Sequence, residues 1–284
     1  MKSVALPNGE FVPVLGLGTW RMGEASSERD AEVASLRLAF ELGYRLIDTA
    51  EMYGEGGAEE VVGQALADAL RAGRLRRDDF FIVSKVYPHN ASRSGVAAAC
   101  DRSRKRLMLD RIDLYLLHWP GEHPLRETIA GFEDLAGRGA IRHWGVSNFD
   151  LDDMTALAGL PGGAACVTNQ IYFALTARGA EFDLLPWQQV KRMPLMAYSP
   201  IAQGSLSSNA VLRSIGMRHG ATAAQIALAW VIAQPGVIAI PKAGREAHLR
   251  ENLASTAIAL TADDLGELDR HFAPPTRKTA LAMI

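Results

Sequence analysis

Asp48, Tyr53, Lys85 and His118 are the residues whose types and positions promise chemistry in this sequence. Asp48 closes a short apolar run, Leu46-Ile47, and Tyr53 follows in the next loop, in front of Gly54. Lys85 closes the run at 80–84 (FFIVS), and His118 closes the run at 112–117 (IDLYLL). A lone Asp after an apolar run is often a helix cap, and a lone Tyr there is often rim packing. Three successive apolar runs ending in a carboxylate, an ammonium and an imidazole are hard to attribute to chance. A parallel barrel presents reactive groups in this way, at the carboxyl ends of its strands.

The elements between these residues alternate accordingly. Residues 4–14 read as a hairpin, with Asn8-Gly9 supplying positive φ angles in a tight turn. Residues 15–20 read as a first core strand. A helix over 28–42, capped by Ser26 or Ser27 and stopped by Gly43, precedes the Asp48 strand. Helices are expected over 58–71, 92–108, 125–137, 151–160, 180–191, 222–234 and 245–254. The strands between them end at Lys85, His118, Ser147-Asn148, Gln170, Tyr198 and Ile240. A last helix over 262–272 is capped by Thr261. Eight strand–helix pairs argue an α/β chain folded as a (β/α)8 TIM barrel, with an N-terminal hairpin and an extra C-terminal helix, one domain over 1–284. Two doubly wound domains are the rival. Gly16, Gly18 and Gly23 miss the dinucleotide fingerprint, whose third glycine would fall on Arg21. The stretch 199–209 is long for a plain connection and is a candidate ligand loop.

Composition narrows the function classes. The chain has 284 residues, 48% hydrophobic and 22% charged, with a net charge of -2. No basic field is present to recruit nucleic acid or an anionic membrane. Cys100 and Cys166 fit neither a disulfide framework nor a zinc site. The start lacks a signal-peptide core, and no apolar run approaches the ~20 residues of a bilayer span. The expectation is a reduced, cytoplasmic protein, monomeric, without membrane, nucleic-acid or metal partners.

Read in order, several strings resemble the aldo-keto reductase family nearly end to end. They are residues 15–20 (LGLGTW), 46–54 (LIDTAEMYG), 82–86 (IVSKV), 114–120 (LYLLHWP), 145–149 (GVSNF), Asn169-Gln170, 197–200 (AYSP), Ile240-Pro241-Lys242 and Glu251-Asn252. The resemblance implies reduction of aldehydes and ketones to alcohols with NADPH, with NADH as the alternative cofactor. Tyr53 resembles the family's proton donor. A free phenol titrates near ~10, too high for efficient proton exchange at neutrality. Lys85 resembles the cation that lowers that value, and Asp48 the group that holds the lysine. His118 resembles the residue that orients the substrate carbonyl.

The resemblance also implies a cofactor cleft. Gly18, Thr19, Trp20 and Asp48 lie at its start. Ser147, Asn148 and Gln170 resemble the residues that bind the nicotinamide carboxamide, and Tyr198 the ring on which the nicotinamide stacks. An aromatic face contributes roughly 1 kcal/mol beyond its buried area. Ser199, Pro200, Ile201, Gln203, Gly204 and Leu206 occupy the loop that folds over the pyrophosphate, with Gly204 giving it freedom to close. Ile240, Pro241, Lys242 and Ala243 continue the cleft toward the adenosine. Lys242 resembles the residue that meets the 2′-phosphate, with Glu251 and Asn252 nearby. Many members carry arginine six residues after that lysine; this chain has His248, with Arg245 and Arg250 close by. A histidine lacks the guanidinium fork. Arg245 can substitute from the same loop, and a solvated helix face is the plain alternative for Arg245 and Arg250.

Trp20, Tyr53, Tyr87, His118 and Trp119 should line an aromatic substrate cleft suited to aldehydes and apolar ketones. The loop at 121–123 and the tail after Phe272 are short, so the site should be open. His89, His143, His219 and His271 read as surface or structural. Two other readings compete: a cofactor-binding regulatory subunit on the same fold, and a phosphate-binding isomerase on another barrel. The complete set Asp48, Tyr53, Lys85 and His118 weakens the first, and the second would not need Ser147, Asn148, Gln170 and Tyr198 together.

Overall fold

A computed structural model describes residues 2–284. Eight parallel strands form one sheet in sequence order: β3 (Leu17–Gly18), β4 (Leu46–Asp48), β5 (Phe81–Val86), β6 (Ile112–Leu117), β7 (Ile141–Ser147), β8 (Cys166–Tyr172), β9 (Leu195–Tyr198) and β10 (Val237–Ile240). Backbone hydrogen bonds from Gly16 to Ala239 (2.9 Å) and from Gly18 to Pro241 (3.1 Å) bring the first strand against the last and close the barrel. Outer helices alternate with the strands, as the sequence pattern requires.

The strands are apolar on both faces because both are covered. Leu46, Phe81, Val83, Leu114, Leu116, Met196 and Ile238 point inward and fill the barrel. The hairpin of β1 (Ser3–Ala5) and β2 (Phe11–Pro13) plugs the end opposite the reactive residues, and its Leu6 and Val12 join this inner cluster. Ile47, Ile82, Tyr115 and Leu195 point outward to the helices. Strand side chains alternate with period two. Asp48, Lys85, His118 and Tyr198 therefore continue the inward rows begun by Leu46, Val83, Leu116 and Met196. Each of these four residues sits at the open end of its row.

Several local expectations are corrected. The first strand is two residues, not six; β3 is squeezed between β4 and β10. A Cβ on Gly16 would meet Leu46 at 2.1 Å, and one on Gly18 would meet the Ile240 carbonyl at 2.9 Å. In the hairpin only Gly9 has positive φ. Gly9 N–H donates to Leu6 O, so Pro7-Asn8 forms a common turn followed by a glycine bulge. Helix α1 (Arg29–Leu42) starts after Glu28 with no side-chain cap from either serine, and it ends at left-handed Gly43 as expected. The helix expected at 180–191 is broken: a 3-10 turn at Gly179–Glu181 precedes α6 (Leu184–Val190).

The 199–209 stretch is followed by a helix that the pattern reading lacks, α7 (Ala210–His219). Asn209 caps it, and left-handed Gly220 ends it. Helix α10 (Ala262–His271) carries the expected Thr261 cap. Both cysteines are free and buried. Among the described residues no helix is long and apolar enough to cross a membrane, and no cluster of ligands could hold a metal ion.

Candidate active site

Lys85 is the centre of the mouth. Its side chain is 0% exposed. An ammonium has three hydrogens to place. They go to Asp48 Oδ2 at 2.7 Å, the Thr49 carbonyl at 2.9 Å and Tyr53 Oη at 3.0 Å. Every donor is satisfied without water. Burial opposes the charge, but Asp48 and Tyr53 more than offset it and hold the ammonium above its ordinary value.

Tyr53 opens a 3-10 turn, Tyr53–Gly56, directly after the β4 loop. The turn depends on Gly54, which has a φ of 57° and lies against the Gly23 backbone, where a Cβ would approach to 2.8 Å. Burial pushes the phenol above its usual value, and the Asp48 charge adds to the rise. Lys85 pulls in the expected direction without overcoming them. The expectation of a lowered phenol is thus corrected for the cofactor-free protein, because desolvation outweighs the cation.

His118 is 7% exposed, and its ring lies 5.7 Å from that of Tyr53. Burial, and then the Lys85 charge, hold the imidazole well below its usual value, so it is neutral at pH 7. Its Nδ1 is buried without a partner. Trp119 packs on His118 at 4.9 Å, and Tyr87 meets Trp119 edge-on at 5.9 Å. Tyr53, His118, Trp119 and Tyr87 form one aromatic row. Trp20 is 37% exposed, with the Arg21 guanidinium over its ring at 4.5 Å. His89, read as surface or structural, is exposed and stacks on Tyr87 at 4.6 Å.

The residues at the ends of β7, β8 and β9 meet in one web. Ser147 Oγ donates to the Gln170 carbonyl at 2.8 Å. Asn148 has a left-handed φ of 60°; its Nδ2 donates to the His118 carbonyl and to Ser147 Oγ. Tyr198 Oη donates to Asn148 Oδ1 at 2.9 Å, and the Tyr198 phenol is pushed up to about 12 by burial. Gln170 Nε2 donates to Asp48 Oδ1 at 2.8 Å. Neither Ser147 nor Asn148 caps the following helix, α5 (Leu151–Ala158); Asp150 does so in a capping box with Asp153.

Ser199, Pro200 and Ile201 follow β9 as a bend and turn, and Gln203, Gly204 and Leu206 lie in the 3-10 segment Ala202–Ser208. Ser199, Ala202 and Gln203 all have left-handed φ, which is costly for residues with a Cβ. Gly204 contributes one left-handed residue among four. On the far side of the barrel seam, Lys242, Arg245 and Arg250 are exposed. Arg250 pairs with Glu246 along α9 (Glu246–Ser255), as a solvated helix face would. Arg245 Nη2 instead donates to His248 Nε2 at 2.8 Å. Glu251 is half-buried, and Asn252 is buried. Pro241 and Ala243 are buried beside the exposed Lys242.

Three residues of the rim are absent from the pattern reading. Buried Glu51 accepts from the Tyr87 N–H (2.7 Å), Asn90 Nδ2 (3.1 Å) and Arg102 Nη2 (3.4 Å), which ties the first loop to the second. Glu55 accepts from Tyr87 Oη at 2.9 Å. Tyr172 stacks behind Tyr198 at 5.9 Å. A carboxylate two residues before Tyr53 was the available signal for Glu51. The tail is short but lies against the rim: Lys278 pairs with Asp152, and the tail and the loop after β8 enclose a cavity of about 190 Å³ lined by Tyr172, Thr176, Thr279 and Leu281.

A barrel whose open end holds a buried Asp–Lys pair on a tyrosine, beside a neutral histidine, defines a class, and sequence comparison agrees. The model of the Aldo/keto reductase family matches residues 14–273, and the chain belongs to that family of oxidoreductases. It is 50% identical over 288 residues to methylglyoxal reductase YeaE of Escherichia coli K12, covering 100% of this chain and 99% of that protein. It is 33% identical over 267 residues to a glyoxal reductase of Bacillus subtilis 168, covering 94% and 91%. Among solved structures, an aldo/keto reductase of Klebsiella pneumoniae in complex with NADP and acetate aligns with a TM-score of 0.94 at 46% identity, covering 100% of this chain and 99% of that one.

Proposed function

We propose that this chain uses NADPH to reduce small reactive carbonyl compounds to alcohols, with 2-oxoaldehydes such as methylglyoxal as its substrate class. The observation that carries the reading is the fully partnered Lys85 ammonium, aimed at Tyr53 Oη from 3.0 Å. When bound, the reduced nicotinamide supplies a hydride to the carbonyl carbon. Tyr53 gives its hydroxyl proton to the carbonyl oxygen. The elevated phenol keeps that proton at neutral pH, so the free site stands loaded. The phenolate left behind faces Lys85, whose charge stabilises it. Solvent then returns one proton to Tyr53. One carbonyl, one reduced nucleotide and one proton thus become one alcohol and one oxidised nucleotide. His118 is neutral and keeps one N–H with which to hold the carbonyl oxygen, without setting a second cation beside Lys85.

The residues present suit the cofactor. Tyr198 offers a half-exposed aromatic face beside Asn148 and Gln170. Lys242 and Arg245 are exposed cations on one loop past β10. The substrate class is supported by the names of the two relatives and by the compact aromatic row. The test is loss of reduced-nucleotide absorbance on adding methylglyoxal, with NADPH and NADH in parallel and Tyr53→Phe as control. Absence of turnover with methylglyoxal, glyoxal and a simple aromatic aldehyde alike would refute the reading.

A further inference from the structure

Gln170 is 1% exposed at the end of the barrel interior, and its two amide atoms do different things. Nε2 donates to Asp48 Oδ1 at 2.8 Å, across 122 residues of sequence. Oε1 takes no hydrogen bond from the protein. Beyond Asp48 the contacts continue: Oδ2 to Lys85 Nζ at 2.7 Å, then Lys85 Nζ to Tyr53 Oη at 3.0 Å. A short chain of polar contacts therefore joins an amide on β8 to the phenol after β4.

Resting on the reductase reading, we propose that Gln170 is a positioning residue that couples the cofactor's seat to the proton donor. It pins Asp48 Oδ1 so that Oδ2 stays on Lys85, while the family resemblance already puts the same side chain at the nicotinamide seat. The terminal torsion of an aspartate is broad and roughly two-fold, so an unpinned carboxylate can turn away from its partner. The amide also spreads the carboxylate's negative charge. Without it, more negative potential falls on Lys85 and Tyr53, and the phenolate becomes less favourable. The groups that face Tyr53 are Asp48 from β4, Lys85 from β5, His118 after β6 and Tyr198 from β9. Gln170 is neutral and can alter the titration of Tyr53 only through them.

The test follows the ring resonances of ¹³C-labelled tyrosine with pH. The chain has 6 tyrosines, and Tyr53→Phe identifies the one of interest. Gln170→Met should move the Tyr53 titration to higher pH, weaken NADPH binding and lower turnover about tenfold, the scale of one hydrogen bond to a charged group. In an Asp48→Asn background the same substitution should move the titration no further. An unchanged titration, or equal shifts in both backgrounds, would overturn the coupling and leave Gln170 a packing residue. If Gln170→Met does not fold, Gln170→Glu replaces the donor with an anion while keeping the shape. It should raise the titration further still, and no rise would equally overturn the proposal. These titrations need no turnover. An inactive wild-type protein would therefore defeat the reductase reading while the coupling was still decided.

Discussion

Lys85 and Lys242 both sit at strand ends of one barrel, in opposite surroundings. Lys85 is fully buried, and protein atoms take all three of its hydrogens. Lys242 lies exposed, beside an arginine that leans on a histidine. A buried charge is costly unless it is paired and hydrogen-bonded, so the first lysine has one arrangement and holds it. An exposed charge is cheap and mobile, and it contributes mainly when an anion arrives. On the proposed reading, the chemical end of the cleft is therefore preorganised, and the end proposed for the adenosine is adjustable. Substitutions at the first should change turnover, and those at the second should change cofactor choice.

The largest effects should come from the buried end. Tyr53→Phe and Lys85→Met should each lower kcat by at least ~10²-fold, the range for a positioned acid. NADPH affinity should stay within about twofold, because neither side chain lies among the exposed cations. Asp48→Asn should cost less than Lys85→Met, since it supports the ammonium without being it. Steady-state kinetics with methylglyoxal, alongside fluorescence titration of NADPH, measures both quantities. Retention of a tenth of the rate in Tyr53→Phe would show that another group delivers the proton.

Lys242→Met should reverse that signature. A charge-assisted contact contributes roughly 1.5–3 kcal/mol, so the ratio of NADPH to NADH affinity should fall about ten- to hundredfold. kcat at saturating NADPH should hold. A fall in kcat with an unchanged affinity ratio would mean that the two ends of the cleft are not separable in this way.

The buried end was the more legible in sequence, for a physical reason. Asp48, Lys85 and His118 close continuous apolar runs, so their strand and their end of it follow from the chain itself. Their partners do not. Glu51 meets Tyr87 across 36 residues, and Gln170 meets Asp48 across 122, and no local pattern announces either contact. The state of Tyr53 was misjudged for a related reason: the sequence names the cation but not the extent of burial. Helix α7 has no counterpart in the pattern reading; Gly216 sits within it and Gly220 closes it, which weakens its helical signal. The Asn209 cap and the helical spacing of Val211, Leu212 and Ile215 signal it.

The histidines sharpen the contrast through pH. His118 is buried and held well below its ordinary value, chiefly by burial and then by Lys85. Its unfolded value lies near ~6.5. Above that pH neither state binds the proton, and the neutral ring contributes its full stability. As pH falls below it, the unfolded chain gains a proton that the folded protein refuses, so stability declines. His118→Asn should remove this part of the slope. Tm at pH 7.5 and pH 5.5 for both proteins measures it. An identical pH dependence in the variant would show that the ring protonates freely in the folded protein.

The smallest effect, and the finest probe of the adjustable end, concerns His248. Arg245 Nη2 donates to His248 Nε2 at 2.8 Å, so the guanidinium leans on α9 and the imidazole offers the phosphate no fork of its own. His248→Arg adds that fork and should raise the ratio of NADPH to NADH affinity about tenfold at pH 7.5. Tryptophan-quenching titrations with both nucleotides measure the ratio. A ratio unmoved by His248→Arg would place the phosphate beyond reach of α9, leaving Lys242 to read it unaided.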